Sequence, residues 1–217
     1  MCLLCLFCLI RYTLPIMFHL FPSRTVALEL FGFSVHWYGL LYLGAFVLAW
    51  WLLPKLQKWR KLDFSRDEWS TILSWAVIGV IVGGRLGFVF FYEPGYFLRS
   101  PFEVFAVWQG GMSSHGGFIG VILALLFALS NRKSKIWQIA DVVVVPAALG
   151  LALGRIGNFV NLELYGTVTS LPWCIDIPGV EGCRHPTQFY AVIKDLLIAG
   201  VCYWHLRQKP VVQGRTF

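Results

Sequence analysis

Hydrophobic residues fall along this chain in long, nearly unbroken runs separated by short polar ones. A helix needs roughly 20 apolar residues to cross a hydrocarbon core about 30 Å thick. Five runs approach that length: residues 32–53, 69–92, 113–130, 136–161 and 187–206. The pattern predicts an all-α polytopic membrane protein of about five transmembrane helices. The third run is marginal and opens on Ser113-Ser114-His115-Gly116-Gly117, which predicts a span that is partly re-entrant. No long repeat, low-complexity tract or soluble domain interrupts the pattern. Residues 1–16 are apolar but lack the basic start and small-residue cleavage site of a secretory signal. They read as an N-terminal extension ahead of one transmembrane domain, residues 17–217, that begins at Met17.

Composition agrees: 58% of the 217 residues are hydrophobic, 13% are charged, and ten are tryptophan, a balance foreign to soluble domains. The charges orient the spans. Lys55, Lys58, Arg60, Lys61 and Arg66 follow the first, Arg132, Lys133 and Lys135 follow the third, and Arg207, Lys209 and Arg215 follow the fifth. The alternate loops carry only Arg99 and Arg184. The positive-inside rule puts the N-terminus outside and the C-terminus in the cytoplasm. The net charge of +7 is then topology signal and anionic-lipid contact, with no nucleic acid implied.

Cys174 and Cys183 share the outer loop 162–186, where an oxidising compartment permits a bridge. Cys2, Cys5 and Cys8 have a spacing that superficially matches an iron–sulfur run, without a fourth ligand or a ferredoxin-like context. Cys202 lies inside a span and reads as packing. No cofactor or metal is expected.

The polar residues inside or beside the spans carry the candidate chemistry. The fourth run closes on Gly154-Arg155-Ile156-Gly157-Asn158-Phe159-Val160-Asn161-Leu162-Glu163-Leu164-Tyr165-Gly166. A lone Arg centred in a bilayer costs about 2.5–3.5 kcal/mol on insertion scales, so such residues usually face a polar cavity. Arg155 and Asn158 share a helical face, and Glu163 would sit roughly 80° from Arg155 if the helix ran on. This is a place to hold something charged at the edge of the lipid. Tyr38, in His36-Trp37-Tyr38-Gly39, is either an interface anchor or a phenol reaching a substrate phosphate or carbonyl. Gly83-Gly84-Arg85-Leu86-Gly87 lets another helix pack closely, with Arg85 as an anion ligand or an ion-pair partner. His115 sits among Gly110, Gly111, Gly116 and Gly117, as a general base or a helix-entry residue bonded to a loop carbonyl. Asp141 reads as a helix-start residue. Thr187 reads as a helix cap after Pro186, and His185 and Gln188 are expected at the depth of Arg155 and His115. There is no Gly-x-Ser-x-Gly elbow, P-loop, His-Glu-x-x-His or zinc spacing. The chemistry this favours is transfer between two bound substrates, one of which brings the nucleophile.

From about Met17 to Phe217 the chain resembles the bacterial prolipoprotein diacylglyceryl transferases. The resemblance is carried by the run Gly154–Gly166, by the motifs around Tyr38, Arg85 and His115, and by His185-Pro186-Thr187-Gln188-Phe189-Tyr190. It implies transfer of a diacylglyceryl group from phosphatidylglycerol to the lipobox cysteine thiol of a preprolipoprotein, releasing glycerol phosphate, in a multi-pass protein of the bacterial inner membrane. Phosphatidylglycerol, the lipobox segment and membrane lipids are the implied partners. On this resemblance Arg155 and Asn158 bind the lipid head group, and Glu163 orients Arg155 or the glycerol hydroxyls. His115 is the base, Tyr38 bonds the lipid, and Gly166 and Arg85 join the substrate-binding set. The family usually has seven spans, so a domain incomplete at its C-terminus is expected. Ala191 stands where an acidic residue commonly follows the His185–Tyr190 run, and the loop 162–186 is short. The alternatives are an inactive relative that only binds lipid or lipoprotein, and a small transporter, for which the paired internal repeats are lacking.

Overall fold

The structure is a computed structural model and describes residues 26–30, 33–130, 135–208, 214 and 216. The extension 1–16, Met17 and the Cys2, Cys5 and Cys8 run lie outside the described residues. In chain order the elements are strands β1 (Val26–Leu30) and β2 (Phe33–His36), then helices α1 (Trp37–Leu56), α2 (Arg66–Phe91), α3 (Pro94–Arg99), α4 (Ser114–Ala128), α5 (Ile136–Val160) and α6 (Thr187–Arg207). The fold is an all-α polytopic membrane protein with a small antiparallel hairpin, in which Leu28 pairs with Val35 and Glu29 with Ser34. Among the described residues four helices, α1, α2, α5 and α6, are long and apolar enough to cross a membrane. The expected third span is shorter: α4 has 15 residues. Residues 33–36, expected inside the first span, are strand.

The described residues form two compact units. The first comprises residues 26–49 and 143–208 with Thr216. Its apolar core holds Phe159, Ile175 and Ile177, with Leu162, Val180 and Phe189 packed against them. A disulfide joins Cys174 to Cys183, the two cysteines of loop 162–186 for which a bridge was open. Beside it the loop is laced by single bridges, Arg184 N–H donating to the Ile175 carbonyl at 2.8 Å and His185 N–H to that of Thr167 at 3.1 Å.

The second unit comprises residues 50–142 with Gly214. Ser65 and Glu68 form a reciprocal capping box that starts α2, with Asp67 and Glu68 in its first turn, where acidic groups complement the helix dipole. α2 and α4 then meet backbone to backbone through glycines. A Cβ on Gly79 would lie 2.6 Å from the Gly120 carbonyl oxygen, and one on Gly87 would lie 2.7 Å from Gly116 Cα. Small residues four apart on both helices permit this close approach where no water drives association. Asp141 departs from its expected role. It is fully buried and accepts from Arg60 Nε at 2.9 Å and from the Gly214 N–H at 2.9 Å. A carboxylate in the second turn of α5 is thus the partner of Arg60, which ends the 3-10 turn Gln57–Arg60 after α1, and burial of a charge demands such a partner.

Candidate functional site

The last turn of α5 and the turn after it build a polar cluster in the first unit. Gly157 faces α1, and a Cβ there would come 2.8 Å from Tyr38 Cδ2. Glycine lets the Tyr38 ring lie on α5, and its hydroxyl then meets the neighbouring residue, Asn158. Asn158 Nδ2 donates to Tyr38 Oη at 3.2 Å and to Glu163 Oε1 at 3.0 Å, while Asn158 Oδ1 accepts from Arg155 Nη1 at 3.4 Å. Asn158 is 4% exposed. Its amide has two N–H groups and one oxygen to place, and the two oxygens and the cation around it fix which end points where. Because Tyr38 Oη accepts from Asn158, its own proton is left to donate elsewhere.

Glu163 reaches this cluster by a route other than the expected one. The helix does not run on: it stops at Val160, and the chain doubles back through Leu162 (φ 56°) and Leu164 (φ 55°). Left-handed backbone at a residue with a side chain costs of order 1–3 kcal/mol and persists only where the surroundings over-determine it. Here Glu163 N–H donates to the Asn158 carbonyl at 2.9 Å. Gln188 Nε2 donates to the Glu163 carbonyl at 2.8 Å, and Thr187 Oγ1 donates to that of Leu164 at 2.7 Å. Thr187 is therefore engaged with the turn instead of capping α6, whose start at Pro186 has no side-chain cap. Glu163 meets Asn158 and not Arg155, one of the two partners expected for it; the other, the glycerol hydroxyls, belongs to the substrate. Gly166 comes next, its N–H donating to the His185 carbonyl at 2.9 Å; a Cβ on it would come 2.7 Å from His185 Cβ. His185 Nδ1 lies 3.2 Å from the Tyr190 hydroxyl, which accepts from Trp173 Nε1 at 2.6 Å.

Arg155 is half-buried, and among the described residues it forms no ion pair. Of the five N–H donors a guanidinium carries, one touches Asn158. The arrangement can present a fixed cation and a phenolic proton to an anion, beside a carboxylate able to accept from hydroxyls. Tyr42 belongs with this group and was overlooked in the sequence. It lies four residues after Tyr38, its ring centroid 5.1 Å from that of Tyr38, within electrostatic range of Arg155 and Glu163. The i, i+4 spacing is the signal that would have found it.

The remaining candidates belong to the second unit. Arg85 is 5% exposed and its guanidinium is spent on backbone. Nε donates to the Val104 carbonyl at 2.9 Å, Nη1 to those of Gly110 and Gly111 at 2.6 and 3.3 Å, and Nη2 to that of Glu103. Its expected partner, an anion or a carboxylate, is replaced by the carbonyls of one loop. His115 is exposed in the first turn of α4, just after Ser113, whose Oγ accepts from Gly116 N–H at 3.2 Å.

The profile of the prolipoprotein diacylglyceryl transferase family matches residues 25–217. A phosphatidylglycerol–prolipoprotein diacylglyceryl transferase of Polynucleobacter asymbioticus is 39% identical over 195 residues, 88% of this chain and 74% of the relative. Proteins of the same name from Pasteurella multocida and Glaesserella parasuis are 42% and 43% identical over 193 and 197 residues, covering 88% and 89% of this chain and 71% and 73% of theirs. With an arginine, an asparagine, a tyrosine and a glutamate meeting inside the matched region, the conclusion is plain: the chain belongs to the prolipoprotein diacylglyceryl transferase family.

Proposed function

We propose that this chain transfers a diacylglyceryl group from phosphatidylglycerol to the lipobox cysteine of preprolipoproteins in the bacterial inner membrane. The cysteine sulfur attacks the diacylglyceryl carbon that carries the phosphate oxygen. The carbon–oxygen bond breaks, its electron pair stays with the phosphate, and glycerol phosphate leaves as a thioether forms. The leaving group gains negative charge, so the chemistry needs a fixed cation on phosphate. Arg155 is that cation, its planar fork suited to two phosphate oxygens. Asn158 holds Arg155 and Tyr38 in register, and the Tyr38 hydroxyl donates a hydrogen bond to the lipid head group. Glu163 fixes the Asn158 amide and accepts from the glycerol hydroxyls, while Gly166 allows close approach beside it. His115 takes the thiol proton; this assignment rests on imidazole chemistry near neutral pH and on the motif His115 belongs to. In this reading residues 162–186 lie on the outer face of the membrane, as the distribution of basic residues between the loops supports.

The observation that carries this reading is the open guanidinium of Arg155 beside the Tyr38–Asn158–Glu163 hydrogen bonds. It is tested with the protein in phosphatidylglycerol vesicles of known orientation, given a peptide with a lipobox cysteine. The expected products are a diacylglyceryl thioether peptide and one equivalent of glycerol phosphate, formed only where residues 162–186 face the peptide. His115→Asn should slow the reaction about 10²–10⁴-fold, and less as pH rises and more of the substrate is already thiolate. An unmodified peptide, under conditions in which one of the matched relatives modifies it, overturns the reading.

A further inference from the structure

We propose that Gln188 and Thr187, at the start of α6, are positioning residues for Glu163, clamping its left-handed turn so that its carboxylate stays on Asn158. The inference rests on the reading of Glu163 given above and extends it to the His185–Tyr190 run, which that reading leaves without a task. Leu162 and Leu164 both hold φ near +55°, a region that residues with a side chain enter only when something compels them. The end of α5 holds one side of this turn through Glu163 N–H on the Asn158 carbonyl, and the side-chain contacts come from one place. Gln188 Nε2 takes the Glu163 carbonyl and Thr187 Oγ1 takes the Leu164 carbonyl, so two successive peptide oxygens are fixed by two successive side chains.

Gln188 also bears the mark of a residue kept for its donor. It is 2% exposed, and its Oε1 is buried without a hydrogen-bond partner. An apolar side chain of similar volume would fill the same space and leave no orphaned oxygen. Packing alone therefore disfavours glutamine here, and the bond from Nε2 to the Glu163 carbonyl is what it adds. Released from this clamp, the turn relaxes towards ordinary backbone and the carboxylate leaves Asn158. The amide can then rotate, and both Arg155 and Tyr38 lose the group that holds them in register. The chemistry weakens although every reacting group is still present.

The test is a double-mutant cycle on transfer kinetics. Gln188→Leu should lower kcat about tenfold to a hundredfold, the scale on which small misplacements act, with KM for phosphatidylglycerol nearly unchanged. In a Glu163→Gln background the same substitution should cost almost nothing more. Leu164, 62% exposed, permits a rescue: glycine takes φ near +55° without strain, so Leu164→Gly should restore several-fold the turnover lost in Gln188→Leu. A merely structural role predicts neither the non-additivity nor the rescue. Losses that add, with Glu163→Gln itself crippled, overturn the clamp and leave the role of Glu163 standing. A harmless Glu163→Gln overturns that role, and the clamp with it. Should Gln188→Leu not accumulate, Thr187→Val goes through the same cycle with the same criteria.

Discussion

Two arginines of this chain sit in nearly identical helical sequence, Gly84-Arg85-Leu86-Gly87 and Gly154-Arg155-Ile156-Gly157, and they end in opposite states. Arg85 is buried, and a returning loop brings four carbonyl oxygens to its guanidinium. Arg155 is half-buried and touches one amide oxygen at 3.4 Å. The segment beyond each helix makes the difference. After α2 the chain runs through α3 and the 3-10 turns Pro101–Phe105 and Val107–Gln109, and the carbonyls of Glu103, Val104, Gly110 and Gly111 fold back onto the cation. After α5 the tight turn at Leu162–Leu164 gives Glu163 to Asn158 instead, and the donors of Arg155 stay open. A glycine-flanked arginine in a membrane helix is thus spent on backbone or left with open donors according to the chain that returns to it.

The largest expected effect is at Arg155. Arg155→Lys keeps the charge but loses the fork, and transfer should fall about 10²–10³-fold, as when one transition-state donor is removed, with unfolding in detergent unchanged. Near-normal turnover would remove Arg155 from the reaction. Arg85→Lys should show the reverse: each carbonyl left buried and unpaired costs about 1–3 kcal/mol, so thermal stability and abundance drop, while transfer per folded molecule stays close to normal. Normal stability with weakened phosphatidylglycerol binding would return Arg85 to the head-group ligands. The smallest effect separates two glycines. Gly157→Ala forces a methyl group to 2.8 Å from the Tyr38 ring and should lower transfer about tenfold, equivalent to about 1.4 kcal/mol. Gly154→Ala, with nothing within 4 Å of the added carbon, should leave it unchanged. Equal losses at both positions would deny the Tyr38 ring its special seat.

Much of this was legible in the sequence because the bilayer imposes a length rule. The runs 69–92, 136–161 and 187–206 correspond to α2, α5 and α6 within a few residues. Arg155 and Asn158 were placed together by helical spacing alone. What escaped depends on contacts distant in sequence. Local spacing cannot say that Asp141 meets Arg60, that Arg85 meets residues 103–111, or that Thr187 and Gln188 reach back to the turn at Glu163. The hairpin escaped for another reason: Phe33 and Val35 are as apolar as the span they precede, so a short strand merged with a helix in the hydropathy pattern.

α4 presents Phe118, Ile119, Ile122, Leu123 and Phe127 openly, yet its 15 residues rise only about 22 Å at 1.5 Å per residue. A hydrocarbon slab about 30 Å thick cannot coat so short an apolar face without deforming. Such hydrophobic mismatch is relieved by local thinning, at fractions of a kcal/mol per Å. Where α4 borders lipid, this mismatch predicts a locally thinned membrane beside Phe118, Ile122 and Phe127.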